Sequence, residues 1–158
     1  MPNPPRSRLL SLAFVAFALS CGNAEARHAP APAVPKPTPG QRVVKIALRA
    51  VGVPYRWGGA SPASGFDCSG LVYWAYGRLG VEVPHSSYAL YDRGRYVTRS
   101  RMKPGDVLFF SGLGHVGIYI GRGRMVHAPH SGTNVQIVNL RRSSYGSRIV
   151  GVRRLVHG

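Results

Sequence analysis

A single cysteine at the junction of a loop and a helix limits this chain more than any other feature. Gly58-Gly59-Ala60-Ser61-Pro62-Ala63-Ser64-Gly65 is loop chemistry, built of small residues, Gly and one Pro. Phe66-Asp67-Cys68-Ser69-Gly70 follows, and then Leu71, Val72, Ala75 and Leu79 recur with the period of a core-facing helix. Asp67 is placed to cap that helix, which puts Cys68 in its first turn. Unpaired N–H groups and the positive end of the helix dipole there favour a thiolate, so a nucleophilic Cys68 is expected rather than a packing residue.

The other cysteine, Cys21, falls beside an apparent export signal. Arg6 and Arg8 precede the apolar run Leu9–Leu19, which is too short to span a bilayer. Ala24-Glu25-Ala26 fits a signal-peptidase site, and residues 1–26 are expected to be a signal peptide. The alternative, lipidation at Cys21, has the weaker local match. Either way Cys68 keeps no disulfide partner, and a free thiol in an oxidising compartment points to reactivity. Residues 27–40, rich in Ala and Pro, read as an extended spacer before a domain at 41–158. The protein is therefore expected in the periplasm or cell envelope, with no transmembrane span in the mature chain.

Removing residues 1–26 takes away Arg6, Arg8 and Glu25, leaving 19 basic against 4 acidic residues, or +15. Such a balance suits a polyanion: outside the membrane, an anionic envelope polymer or lipid headgroups. No nucleic-acid-binding motif accompanies it, so no nucleic-acid partner is expected. So few carboxylates also argue against a paired-carboxylate mechanism.

Thr38-Pro39-Gly40-Gln41 has the pattern of a capped helix start, with Val43, Val44, Ala47, Leu48 and Val51 as its buried face. A short helix is expected from Pro84 to about Asp92. Beyond it the period changes to that of strands: Asp106–Phe110, His115–Ile120, Arg124–Ala128, Val135–Leu140 and Arg148–Leu155, separated by Gly-rich turns. Helices first and an antiparallel sheet afterwards make an α+β domain.

A cysteine nucleophile needs a base, and the base needs an orienting partner. If the hairpin loop is Gly121-Arg122-Gly123, opposed residues sum to 244, and His115 and His127 become diagonal neighbours on one face. A two-residue loop would separate them. Gly117 between them leaves room for the rings. His28, His85, His130 and His157 are expected to be ordinary polar residues. Zinc on Cys68, His115 and His127 is chemically reasonable, but no paired short spacing supports it, and neither metal nor cofactor is expected.

Five blocks carry a family resemblance: Pro54-Tyr55-Arg56-Trp57-Gly58-Gly59, Gly65–Val72, Lys103–Phe110, His115–Gly121 and His127-Ala128-Pro129. In order and content they resemble the NlpC/P60 cysteine peptidases. The resemblance implies a papain-like α+β fold, with the nucleophile at a helix start packed on the sheet. It also implies an endopeptidase acting on peptidoglycan stem peptides, typically between D-glutamate and a diamino acid. By position Cys68 matches the nucleophile, His115 the base and His127 the orienting residue. Tyr55 matches the Tyr that helps hold the oxyanion. Asp67 and Ser69 match positions that meet the free amine of the stem in some members, and Trp57 and Ser86 complete the substrate-side set. Val83-Pro84-His85-Ser86-Ser87, then Leu90, stand where many members have Leu-Pro-Arg-Thr-Ser followed by Gln. Cleavage of the sugar-to-peptide amide, acyl transfer between lipids, and non-catalytic wall binding are the competing readings.

Overall fold

The computed structural model describes residues 35–156. The expected signal peptide, Cys21, His28 and His157 lie outside the described residues, as does the spacer up to residue 34. Among the described residues no helix is long and apolar enough to cross a membrane.

The first helix, α1, spans Pro39–Ala47. Its start is a full capping box: the Gln41 N–H donates to Thr38 Oγ1, and the Thr38 N–H to Gln41 Oε1. Gly40, Val43 and Ala47 are buried. Leu48 and Val51, expected on the same face, are exposed at 37% and 44%. The reason is geometric. After Ala47 the chain tightens into a 3-10 turn, Leu48–Ala50, and the change from 3.6 to three residues per turn rotates Ala50 inward instead.

The Gly-rich loop is less irregular than its composition suggests. Ala60–Ser61 (β1) and Gly65–Phe66 (β2) pair as a minimal antiparallel ribbon. It delivers the chain to α2, Cys68–Gly77. Leu71, Val72, Ala75 and Tyr76 of α2 are fully buried, each large side chain contributing roughly 1.5–3 kcal/mol by leaving water. The Tyr76 hydroxyl donates to the Gly105 carbonyl, tying α2 to the turn before the central strand. A short helix, α3, covers Ser87–Tyr91, with Ser86 as its N-cap.

Six antiparallel strands follow: β3 Arg95–Tyr96, β4 Val107–Phe110, β5 Val116–Gly121, β6 Arg124–His127, β7 Gln136–Asn139 and β8 Ile149–Arg154. Their order across the sheet is β3-β8-β4-β5-β6-β7. All four β4 residues are buried, because the sheet is covered on both faces. Val107 and Phe109 join the core against α1 and α2. Leu108 and Phe110 face the other way, with Met125, Leu140 and Val152. Asp106, 1% exposed, anchors the turn before β4: its carboxylate accepts from the Lys103 N–H and from Nε and Nη2 of Arg154.

The β5–β6 hairpin reaches the expected register by a different route. Ile118 faces Val126 and Tyr119 faces Met125, both on the sum of 244, but Gly121 faces Arg124. The loop is thus only Arg122-Gly123, both at positive φ as a type I′ turn needs. A bulge at Ile120 restores the lost residue. A two-residue loop alone would have sent the two histidines to opposite faces. The bulge keeps them together.

Candidate active site

Asp67 caps α2 as expected, its Oδ1 accepting from the Gly70 N–H at 2.7 Å. That places the free thiol of Cys68 at the helix start. Its sulfur lies 3.9 Å from the carbonyl oxygen of Gly114, the residue before His115. The two ends of the site, one on a helix and one on a sheet, meet across a cleft of about 520 Å³. Tyr55, Trp57, Asp67, Cys68, Ser69, Ser86 and His115 all line it. Trp57 stands on the rim at 89% exposure, whereas Tyr55 is nearly buried in the wall at 7%.

His127 does not reach the cleft surface. It lies behind His115, fully buried, with its Nδ1 2.9 Å from His115 Nε2. Gly117 makes this possible: a Cβ there would come within 2.7 Å of the Met125 sulfur and 3.3 Å of the His127 Cβ. Tyr145, which the sequence did not single out, closes the pair from behind, its ring centre 4.8 Å from that of His127 and 5.7 Å from that of His115. Phe110 packs 5.5 Å from His115. No local pattern marks Tyr145, since it arrives from a loop 30 positions away from His115.

This surrounding sets the protonation states. Burial, reinforced by Arg148 and His130, lowers His115 to about 4. Burial, with His115 and His130, lowers His127 to about 3. Burial also raises the Cys68 thiol; the Val116 N–H opposes this and Asp67 adds to it. At neutral pH the resting site therefore holds a neutral thiol and neutral imidazoles. Desolvation and the Asp67 charge next door work against the thiolate expected from the helix start. Tyr55 is raised as well, by burial and then by Cys68 and Asp67, so it remains a hydroxyl able to donate.

His85, expected to be an ordinary polar residue, lies in the cleft wall. Its Nε2 is 3.0 and 3.1 Å from the two Asp67 oxygens, and its ring stacks on Tyr73 at 5.7 Å. The missed signal was its place next to Pro84, where the chain departs from the family pattern. His130 bonds locally, Nδ1 to the Ser131 carbonyl at 2.9 Å. Among the described residues no group of three or more His, Cys, Asp and Glu side chains could hold a metal ion.

The NlpC/P60 family pattern matches residues 52–154. The chain belongs to the NlpC/P60 family. It is 55% identical over 97 residues to a probable endopeptidase of Mycobacterium tuberculosis, an overlap of 61% of this chain and 25% of that protein. It is 38% identical over 128 residues to the murein DD-endopeptidase MepH of Escherichia coli, covering 73% and 47%. In three dimensions it matches an NlpC/P60 family protein from Bacillus cereus with a TM-score of 0.71 at 32% identity, over 78% of this chain and 42% of that one. The fold is the α+β, papain-like arrangement of this family, with the cysteine-bearing helix on an antiparallel sheet. The chain spans about a quarter of the first relative and about half of the second.

Proposed function

We propose that the protein is an exported cysteine endopeptidase that cleaves peptidoglycan stem peptides, at the bond between D-glutamate and the diamino acid, through a thioester acyl-enzyme. One observation carries this reading: His115 and His127 in contact at 2.9 Å, with His115 opening onto the same cleft as Cys68. A lone reactive thiol has no need of such a pair. A nucleophile that must lose and return a proton does.

The chemistry follows from the protonation states. With both partners neutral at rest, Cys68 loses its proton to His115 Nδ1 as its sulfur attacks the amide carbonyl. His115 holds its other proton on Nε2 throughout, as the donor of the hydrogen bond to His127 Nδ1. The buried partner fixes the tautomer that leaves Nδ1 open. The Cys68 N–H and the Tyr55 hydroxyl stabilise the oxyanion, a contribution of roughly 3–4 kcal/mol for a well-placed donor. The C–N bond breaks as His115 protonates the leaving amine. A water that gives its proton to His115 then attacks the thioester, releasing the carboxylate and the thiol. Trp57, Ser69 and Ser86 offer the substrate-side contacts. The basic surface holds the enzyme to anionic envelope polymers or lipid headgroups.

The name of the Escherichia coli relative supplies a second reading, cleavage of a D,D bond. Digestion of purified sacculi, with mass analysis of the fragments, distinguishes the two. The expected product is a stem that ends at D-glutamate, with the amine at the L-centre of the diamino acid newly free. A D,D cut instead parts cross-linked stems and leaves the D-glutamate bond intact, and Cys68→Ala yields neither product. Activity retained in Cys68→Ala would end the nucleophile assignment, and fragments split at the sugar-to-peptide amide would replace the peptidase by an amidase.

A further inference from the structure

Among the described residues that line the cleft, Asp67 is the only carboxylate, and no Lys or Arg accompanies it. In so basic a chain it is the natural acceptor for a substrate ammonium group. Its acceptor capacity is already taken. Oδ1 accepts from the Ser69 hydroxyl at 3.0 Å, the Gly70 N–H at 2.7 Å and His85 Nε2 at 3.0 Å. Oδ2 accepts from the Gly58 N–H at 2.8 Å and from the same His85 nitrogen at 3.1 Å. These bonds hold the Asp67 carboxyl below its usual range although burial pushes the other way, so it is ionised and His85 Nε2 must carry the proton.

Three of these four donors also serve the fold. Gly70 and Ser69 begin α2, and Gly58 belongs to the loop that Asp67 closes. His85 alone comes from outside that unit, and its side chain is more exposed than that of Asp67, 29% against 11%. Its seat is built for it. Tyr73 stacks on the ring, and the ring nitrogen sits close over the start of α2: a Cβ at Gly70 would meet the Gly59 carbonyl oxygen first and would also fall 2.9 Å from His85 Nε2.

From this geometry we infer that His85 determines the substrate class by capping Asp67, so that the cleft disfavours stem peptides with a free amino terminus and favours those whose amine is acylated, as in stems still attached to glycan. The inference rests on the stem-peptide reading and narrows it. A substrate ammonium in this cleft would lose water and find every carboxylate lone pair engaged, whereas an amide brings no charge to desolvate.

The test is binding in a Cys68→Ala background, where a tripeptide of L-alanine, γ-linked D-glutamate and diaminopimelate is compared with its N-acetyl form. With His85 present the acetylated peptide binds at least as tightly. His85→Ala moves the ratio of the two Kd values about tenfold towards the free amine, as expected for a new hydrogen bond to a charged group. His85→Gln places an amide nitrogen where Nε2 stood and keeps the original ratio. His85→Asn mimics only Nδ1 and behaves like Ala, which keeps the test open if His85→Ala folds poorly. An unchanged ratio in both Ala and Asn variants overturns the inference. So does a tenfold preference for the free amine with His85 in place, or failure of both peptides to bind at millimolar concentration. Turnover by the wild type is scored separately. If it cuts neither peptide while the binding ratio shifts as stated, the endopeptidase reading falls and the role of His85 stands.

Discussion

Asp67 and the His115–His127 pair flank the same thiol, and the protein treats them in opposite ways. Asp67 keeps its charge: at 8% exposure it is surrounded by donors from two backbone amides, a hydroxyl and an imidazole, which outweigh the burial. The imidazoles are kept neutral. They have each other and the aromatic rings of Phe110 and Tyr145, and among the described residues no carboxylate pairs with them and no side chain or backbone group bonds His127 Nε2. One side of the cleft is a satisfied network that fixes structure. The other carries an unsatisfied group, as expected where protons must move rather than stay. The contrast can be broken from either side.

The largest effects should come from the imidazole side. His115→Ala should lower kcat/KM on a stem peptide by about a thousandfold, since a general base typically contributes ~10²–10⁴. His127→Ala should lose roughly 10–100-fold, the usual range for a partner that orients a reacting group. His127→Asn should lose least, because its amide oxygen stands near the position of Nδ1 and still accepts from His115 Nε2. An Ala variant at 127 as active as wild type would show that the 2.9 Å contact is incidental.

Much of this arrangement was legible in local pattern. The Thr38 capping box, the Asp67 cap and the β4–β6 strands all follow from rules acting within a few residues. The facing of the two histidines was legible too, although the turn is one residue shorter than its composition suggests, because alternation along two strands survives when a bulge compensates a shorter loop. What was illegible depends on distant partners. Two-residue strands such as β3 have no period to detect; Arg95 and Tyr96 are strand only because β8 lies beside them. His85 gave no sign of its role because it lies in a loop, with Asp67 18 positions away and Tyr73 on α2. The surroundings of Cys68 depend on distance too: a helix start is local, whereas the desolvation that raises the thiol comes from the assembled cleft.

The opposite treatments also separate in pH. Both imidazoles titrate in the folded state well below the ordinary value of 6.5, at about 4 and about 3. As pH falls below 6.5 the unfolded chain takes up protons that the folded one refuses, so stability is lost from about 6.5 down to about 4 for His115 and on to about 3 for His127. Asp67 is shifted down from an ordinary value of 3.8, so its contribution is present above that value and disappears only as pH falls through it and below. The melting temperature should therefore drop in two stages that overlap below about pH 4, the first by on the order of 10 °C. His127→Asn should flatten the upper stage and leave the lower one. Parallel curves for wild type and variant would show that the pair is not the source of the acid sensitivity.

The smallest expected change tests the Asp67 side. Ser69→Ala removes one of several donors to a carboxylate that keeps the rest, so the loss should be about 1 kcal/mol, that of a single net hydrogen bond. The size alone would say little, since many substitutions cost as much. Its pH dependence is the informative part. The Ser69 bond favours the ionised carboxylate, so removing it raises the folded-state value of Asp67 towards that of the unfolded chain. The difference from wild type should be constant from pH 7 to about 5 and shrink as pH falls through the carboxylate range, while the histidine stage above it stays unchanged. Melting curves of Ser69→Ala and wild type from pH 7 to 3 measure this directly. A difference that instead closes between pH 6.5 and 4 would mean that Asp67 and the imidazoles titrate as one network, and that the cleft does not keep its charged and neutral sides apart.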